Sequence, residues 1–354
     1  MDDGELRQRF AQCFSAEATL YEPGEPAWDD VLQELPYIPV AYSRYSLDYQ
    51  HCYTRAFAES LIDISVILKQ RDRFIGIWPL SLRKRQGLYE FATNQGPVLP
   101  PAYKRGISER LIRKYDEVCL AAIKRFYDEM KGEISFRDEW KSAVSFLPDA
   151  LLSQAVIWDQ KCMIAGARAS VFHDLYVDLS KTEEELHQNL RKSYRSLLNE
   201  GERLWSVKVH DHVDDGLFDE YRLLHKKVSG RVTRPLETWD LQREAINNGG
   251  DFLVTLHDSG QRLIGGGLFG ASPHEGLYGV GAYDRDLFDK PISHIVQWTA
   301  IKHLKELGCR WHYVGQRFYP GDSVRPTEKE LSISYFKEGF ATDMILRLML
   351  TLSL

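Results

Sequence analysis

The 354-residue chain repeats itself at a distance of 188–189 residues, and no other feature constrains its fold as much. Residues 63–68 read DISVIL and residues 251–256 read DFLVTL, 188 apart. RFIG at 73–76 returns as RLIG at 262–265, and GLY at 87–89 returns at 276–278, both 189 apart. Each copy predicts an apolar strand, a polar turn, a second strand with glycine, a turn and a third strand, which together make an antiparallel meander. An amphipathic helix follows in both. In the second copy Ile292, Ile295, Val296, Thr299, Ala300, His303, Leu304 and Leu307 share a helical face, closed by Gly308. In the first, Ser108 is placed to cap a helix carrying Ile112, Tyr115, Cys119, Ala122, Phe126 and Met130 on one face. A short strand ends each copy, at Ile134–Arg137 and Arg310–Val314. The expectation is a tandem β-β-β-α-β arrangement, and this length fits two domains.

Composition narrows the function. Apolar residues make up 44%, aromatics 12% and charged residues 27%, which is ordinary globular usage and excludes collagen-like and disordered classes. With 45 Lys+Arg against 51 Asp+Glu the net charge is −6, which argues against a bulk polyanion binder and leaves room for a local basic patch. No helix-turn-helix, zinc-finger or RNP signature occurs, so DNA is not an expected partner. Cys13, Cys52, Cys119, Cys162 and Cys309 are far apart and lack metal-ligand spacing. Neither a disulfide framework nor a metal site is expected; they read as inert thiols of a reducing compartment. The opening MDDGELRQRF has no apolar secretory core, and no run of 18 apolar residues spans a bilayer. A cytoplasmic protein is the expectation.

Between the copies, Thr182-Glu183-Glu184-Glu185 has capping-box form and leads into a helical face of Leu186, Leu190, Tyr194, Leu197 and Leu198. Arg191, Lys192 and Arg195 project from its other faces. Residues 217–228 read as another helix, followed by the basic loop Ser229–Pro235. Residues 320–330 (PGDSVRPTEKE) read as a second loop, and YFKEGF at 335–340 follows.

The β-β-β-α-β order is the core of the GNAT acyltransferase fold, and two such cores in one chain resemble the FemABX-like transferases. The resemblance is strongest from about 173 to 341. DLYVDLS (174–180), LRKSYR (190–195), ISHIVQWTAIKHLKELGCRWHYVGQ (292–316) and the closing FKEGF (336–340) follow one another there. In the first copy, NQGPVL (94–99) resembles the family's Gly-Pro turn. The resemblance implies an α/β fold of two tandem GNAT-like domains with mixed, mostly antiparallel sheets. Residues 1–165 would form a first domain, for acceptor binding or structure. Residues 166–354 would form a second, catalytic one, with the last residues packing back on the first. It implies transfer of an acyl or aminoacyl group to an amine of a cell-envelope or surface-glycan precursor. The donor it implies is acyl-CoA or aminoacyl-tRNA as co-substrate, and the acceptor it implies is a small or nucleotide-linked molecule.

Acyl transfer to an amine needs a neutral amine, a stabilised oxyanion and a protonated leaving group. No GxSxG occurs, so an acyl-enzyme is not expected. Lys337 of FKEGF is the first candidate, because a cation near the carbonyl offsets its developing charge. The resemblance assigns the matching lysine to handling the donor. Phe336 either stacks on a donor base or fills core. Arg231 and Arg234 offer guanidinium forks to phosphate or carboxylate, with Trp239 as a wall. Tyr283 and Asp284 end the strand before the main helix, where Asp284 is a candidate to orient the amine. His294 lies in the first turn of that helix, where the dipole lowers its pKa and makes a neutral base. Gln316 is a candidate donor to a carbonyl. Arg191 and Arg195 offer a basic patch to phosphates, including those of tRNA. The Asp286–Pro291 segment, with two acids and no glycine, cannot cradle a diphosphate with backbone N–H groups, which predicts at most weak contacts with CoA. The competing reading is a catalytically inactive duplicate that binds a ligand or protein, since the first copy has no FKxGF.

Overall fold

The computed structural model describes residues 2–14, 16–22, 24–143 and 152–354. Two compact units emerge: residues 1–38, 50–171 and 347–354, and residues 39–49 and 172–346.

The first unit opens with α1 (Asp3–Gln12), β1 (Ala18–Leu20) and α2 (Pro26–Gln33); α3 (Arg44–Arg55) carries the chain across the boundary between units. Its meander is β2 (Ser60–Asp63), β3 (Val66–Gln70), β4 (Arg73–Trp78), β5 (Ser81–Arg85) and β6 (Leu88–Ala92). Breaks at Ile64–Ser65 and Pro79–Leu80 split what are two long strands, because Pro79 has no N–H for the ladder. The Ser65 hydroxyl repairs the gap by accepting the Leu80 N–H at 3.0 Å. β7 (Ala102–Tyr103) and α4 (Glu109–Met130) follow, and every predicted face residue of α4 is buried. The strand expected at Ile134–Arg137 instead begins at Glu139: β8 spans Glu139–Ala143, and Phe136 makes only an isolated parallel bridge to Tyr89. α5 (Leu152–Ile164) packs Trp158 against Trp78, ring centroids 5.9 Å apart.

β9 (Arg168–Asp178) leads into the second unit. The Thr182–Glu185 capping box forms as predicted, but the single helix expected after it is two, α6 (Glu183–Asn189) and α7 (Lys192–Leu204). Leu190 and Arg191 adopt extended backbone between them. β10 (Ser206–His210), α8 (Asp215–Ser229), α9 (Leu236–Asn247), β11 (Asp251–His257), β12 (Leu263–Ala271) and β13 (Glu275–Tyr283) follow. Next come α10 (Ile292–Glu306), β14 (Trp311–Arg317), α11 (Glu328–Glu338) and β15 (Asp343–Ser353), whose end returns to the first unit. Strands run in the order β10-β11-β12-β13-β14-β9, and all neighbours are antiparallel except β13 and β14. One face of this sheet packs on α10 and α7 around Phe252, Phe269, Val296 and Leu304; the other packs on α8 and α9 around Phe218, Tyr221 and Trp239.

The repeat reaches further than its sequence signal. β1 pairs with β3 as Ala18↔Leu68 and Thr19↔Ile67, and β10 pairs with β11 as Ser206↔His257 and Val207↔Leu256. The ladder shifts by one residue between Leu68 and Lys69 in the first copy, and between Leu256 and His257 in the second. Among the described residues no helix is long and apolar enough to cross a membrane, and no His/Cys/Asp/Glu cluster could hold a metal ion. Cys13, Cys119, Cys162 and Cys309 are buried thiols, and burial pushes Cys13 and Cys309 up to about 12.

Candidate active site

β13 and β14 pair for only three residues, Glu275–Leu277 against Trp311–Tyr313, and then part. Two irregularities open the gap. The β12–β13 register shifts between Leu268 and Phe269, and the β14–β9 register between Tyr313 and Gly315. Gly315 has φ +133°, a conformation L side chains rarely adopt, and a side chain there would collide with the Lys337 ammonium.

Lys337 reaches this opening from the last turn of α11. Thr327 and Glu330 form a capping box that starts the helix, within the stretch expected as loop. The lysine Nζ lies 5.1 Å from the centroid of the Tyr278 ring. Burial lowers the ammonium to about 8. The Tyr278 and Tyr283 phenols, both raised by burial, lie together with Gln297 of α10. Gly281 makes this possible: a side chain there would strike the Tyr278 hydroxyl and the Tyr283 ring. His312 on β14 is fully buried and is brought down to about 4, first by burial and in part by the Lys337 charge.

His294 occupies the first turn of α10, edge-on to Tyr194 at 4.5 Å and Phe336 at 5.1 Å. Burial, then the Arg191 charge, bring it down to about 4, so the imidazole is neutral. Phe336 also packs on Phe340 at 5.3 Å. Arg191 donates to the Tyr335 carbonyl at 2.7 Å and the Tyr194 hydroxyl at 3.0 Å, and stacks over the Tyr335 ring. Arg195 donates to the carbonyls of Gln188 and Leu190. These two guanidiniums thus hold the α6–α7 junction and α11 together. Gln316 follows Gly315 on β14, opposite Asp174 of β9.

A second group lies on the α8–α9 face. Arg234 is only 4% exposed, stacks 3.4 Å from the centroid of the Trp239 ring and donates to the Tyr49 hydroxyl at 2.7 Å. Its Nε and Nη2 are buried without an acceptor among the described residues. Trp239 also contacts Phe218, Tyr221 and His225, so it is core and platform at once. Arg231 stands exposed in the loop before it. Asp284, 6% exposed, caps the Arg285–Leu287 turn and pairs with Lys227 at 3.4 Å and Arg262 at 3.9 Å.

His294, Phe336 and Arg191 are therefore neighbours around Tyr194, while the Lys337 ammonium lies with Tyr278, Gly315 and His312, and Gln316 adjoins that glycine. Arg234 and Trp239 form their own cluster, with Asp284 on the adjoining turn. Tyr278, Gln297, His312 and Tyr49 escaped the sequence reading. The spacing of glycines around an aromatic in GLYGVGAY (276–283) was the one signal for Tyr278.

No protein-family model matches the sequence, and no curated protein matches it. Among solved structures, FemX is similar over 96% of this chain and 97% of its own, with a TM-score of 0.65 at 12% identity. L-PGS from Bacillus licheniformis matches over 94% and 92%, with a TM-score of 0.55 at 12% identity. The C-terminal domain of an Agrobacterium fabrum protein named as a lysylphosphatidylglycerol synthetase matches over 99% and 92%, with a TM-score of 0.56 at 12% identity. At these identities the likeness concerns the fold. The two units, the parting of β13 and β14 in the second with α10 connecting them, and the whole-length match to FemX give this chain the FemABX-like fold.

Proposed function

We propose that the protein is an N-acyltransferase that moves an acyl or aminoacyl group to an amine, through the strand opening of the second unit. The observation that carries this reading is the Lys337 ammonium held in the opening between β13 and β14, with its pKa brought down to about 8. A cation fixed in a desolvated gap stabilises the tetrahedral oxyanion without reorganising when charge develops. In this reading the reacting carbonyl enters between the parted strands, and Gln316 donates to it beside Lys337. The amine attacks the carbonyl; its proton passes to His294, a weak acceptor at a pKa of about 4, or to water, and is returned to the donor's sulfur or ribose oxygen as the C–S or C–O bond breaks. Asp284 steadies the entry turn. Arg234, with Nε and Nη2 unpaired above Trp239, takes a phosphate or carboxylate of the acceptor, and Arg231 assists from the rim.

The fold similarity to FemX and to a lysylphosphatidylglycerol synthetase domain supports aminoacyl transfer, with aminoacyl-tRNA or acyl-CoA as donor. An amine on a nucleotide-linked envelope or surface-glycan precursor fits an anion-binding arginine. The test is turnover with an acyl-CoA panel, read as thiol release, and with bulk aminoacyl-tRNA, read as amide formed on a panel of amino sugars and precursor peptides. Transfer that falls in Lys337→Ala supports the reading. Absence of transfer from both donor classes, or full transfer by Lys337→Ala, overturns it.

A further inference from the structure

The first unit has a strand opening of its own. Tyr89 of β6 bonds across to the segment before β8: its N–H donates to the Ser135 carbonyl, and its carbonyl accepts from the Arg137 N–H at 2.8 Å. The next contact between these stretches is at Val98, whose N–H donates to the Lys141 carbonyl at 2.7 Å. Between those points the chain turns away through Asn94–Pro97. By strand alternation the Phe91 N–H and carbonyl point to the side where β8 would have paired. The result is a cavity of about 750 Å³, lined only by residues of the first unit. The second unit places Lys337 at its opening; the first copy of the repeat has no FKxGF segment to do so.

The walls combine apolar surface with three bases, Arg83, Arg137 and Lys141, and three acids, Glu90, Asp138 and Glu139. Phe91 and Phe136 lie nearly parallel, 6.1 Å apart and 15° between planes, and Leu88, Trp140 and Met349 extend the apolar side. Arg83 is 8% exposed; its Nε donates to Glu90 at 2.9 Å and its Nη1 to the Asn94 carbonyl at 3.1 Å. The same Glu90 carboxylate pairs with Arg137 at 3.3 Å. One carboxylate thus serves two guanidiniums. Arg83 Nη2 and both Nη atoms of Arg137 have no acceptor among the described residues, and Lys141 on the same wall has no ion pair there. Glu139 is taken up by Arg168, and Asp138 stands exposed at the rim. Burial depresses Arg83 against the opposing charge of Glu90, and Arg85 and Arg137 add smaller downward contributions.

We propose that this opening is a second ligand site, which takes a small acid with a planar apolar body. Its carboxylate or phosphate would lie on Arg137 and Arg83 Nη2, and its body against Phe91, Phe136 and Trp140. A guanidinium fork recognises either anion in bidentate fashion. A cavity of this size accepts a ligand of drug-like dimensions. The site is independent of the transfer chemistry assigned to Lys337.

The experiment titrates the full-length protein, labelled at arginine Nε, with phenyl phosphate, benzoate and the uncharged benzyl alcohol, following arginine side-chain and backbone resonances by NMR. Saturable shifts at Arg83, Arg137 and residues 136–141, with an anion at least tenfold tighter than benzyl alcohol, are expected. The tighter of phenyl phosphate and benzoate identifies the headgroup. Arg137→Gln should weaken that anion at least tenfold, Arg137→Lys less, and Lys337→Ala not at all. Lys141→Ala, at an exposed position, is the second variant should Arg137→Gln fail to fold, with about a threefold loss expected. Anion binding no tighter than benzyl alcohol, an unchanged Kd in both Arg137→Gln and Lys141→Ala, or shifts confined to the second unit would overturn the proposal.

Discussion

The Lys337 ammonium sits 5.1 Å from the centroid of the Tyr278 ring, in the opening where β13 and β14 separate. The aromatic face offers a cation part of the stabilisation that water would have supplied. Burial still dominates, so the charge is held at a cost and is available to a developing oxyanion.

Replacing that charge should therefore separate activity from stability. Lys337→Met is expected to lower kcat by roughly 10²–10³, the loss typical of one oxyanion donor. Its Tm at pH 7 should be equal to or above that of the parent, because a desolvated ammonium opposes folding. Steady-state kinetics with the productive donor and a thermal melt read the two together; a Tm drop matching the activity loss would show that Lys337 is structural.

The same lysine predicts two pH signatures. Its folded pKa of about 8 lies below the ordinary lysine value of 10.5, so between these values the unfolded chain binds more protons than the folded one. Folding stability contributed by this group then rises with pH through that window, and Lys337→Met should lose the rise. Activity runs the other way. If the protonated form stabilises the oxyanion, kcat falls above pH about 8, and Lys337→Arg moves that limb out of reach. His294, already at about 4, should add no acid limb above pH 5.5.

Gly315 is the backbone counterpart of Lys337. At φ +133°, with the ammonium against its Cα, Gly315→Ala should destabilise the protein by about 1–3 kcal/mol and displace the lysine. Denaturant melts and the pH profile test this: a variant with parental stability and an unmoved limb would contradict the geometry.

Arg234 should behave as a clamp. Arg234→Met is expected to raise KM for the acceptor about tenfold or more while leaving kcat within a few-fold, since a group remote from the reacting atoms binds ground and transition states alike. In the ligand-free variant the lost Tyr49 hydrogen bond and Trp239 stack are offset by removal of the unpaired Nε and Nη2, so the change in Tm should be small. A kcat loss at unchanged KM would move Arg234 to the reacting centre.

Thr327→Ala tests how α11 is anchored. Losing the Thr327–Glu330 capping box should cost about 0.5–2 kcal/mol. Since Lys337 is on the last turn of the same helix, kcat should fall by less than in Lys337→Met, and recover in Thr327→Ser.

Much of this architecture is written in apolar periodicity. The buried face of α4 follows the predicted spacing, because a helix that covers a sheet must show a 3.6-residue stripe; α10 keeps Ile292, Ile295, Val296, Ala300 and Leu304 buried, but Thr299 and His303 are half-buried, Leu307 is exposed, and Gln297, Trp298 and Ile301 widen the buried face. What periodicity does not encode is where ladders slip or helices break. The split at Leu190–Arg191 leaves the apolar face continuous, and the capping box at Thr327 sits in a stretch whose Pro, Gly and Asp signal a loop. Ile134–Arg137 reads as a strand by composition, yet its pairing depends on where β6 turns away. In the site, Lys337 was legible through a local motif. Its partner Tyr278 is 59 positions away, and Arg234 bonds a tyrosine 185 positions upstream, contacts that only the folded chain creates.

The shared ladder shift at Leu68/Lys69 and Leu256/His257 bears on the history of the chain. An extra residue in a strand turns every side chain beyond it to the opposite face, so it survives only when the rest of the strand is already patterned to suit. Two unrelated halves would each have had to acquire that insertion, and its compensating pattern, at the same step of the same hairpin. A single ancestor that carried it before the gene doubled needed to do so once. The shared bulge is what a single ancestral unit, doubled, would leave in both halves, alongside the sequence repeat.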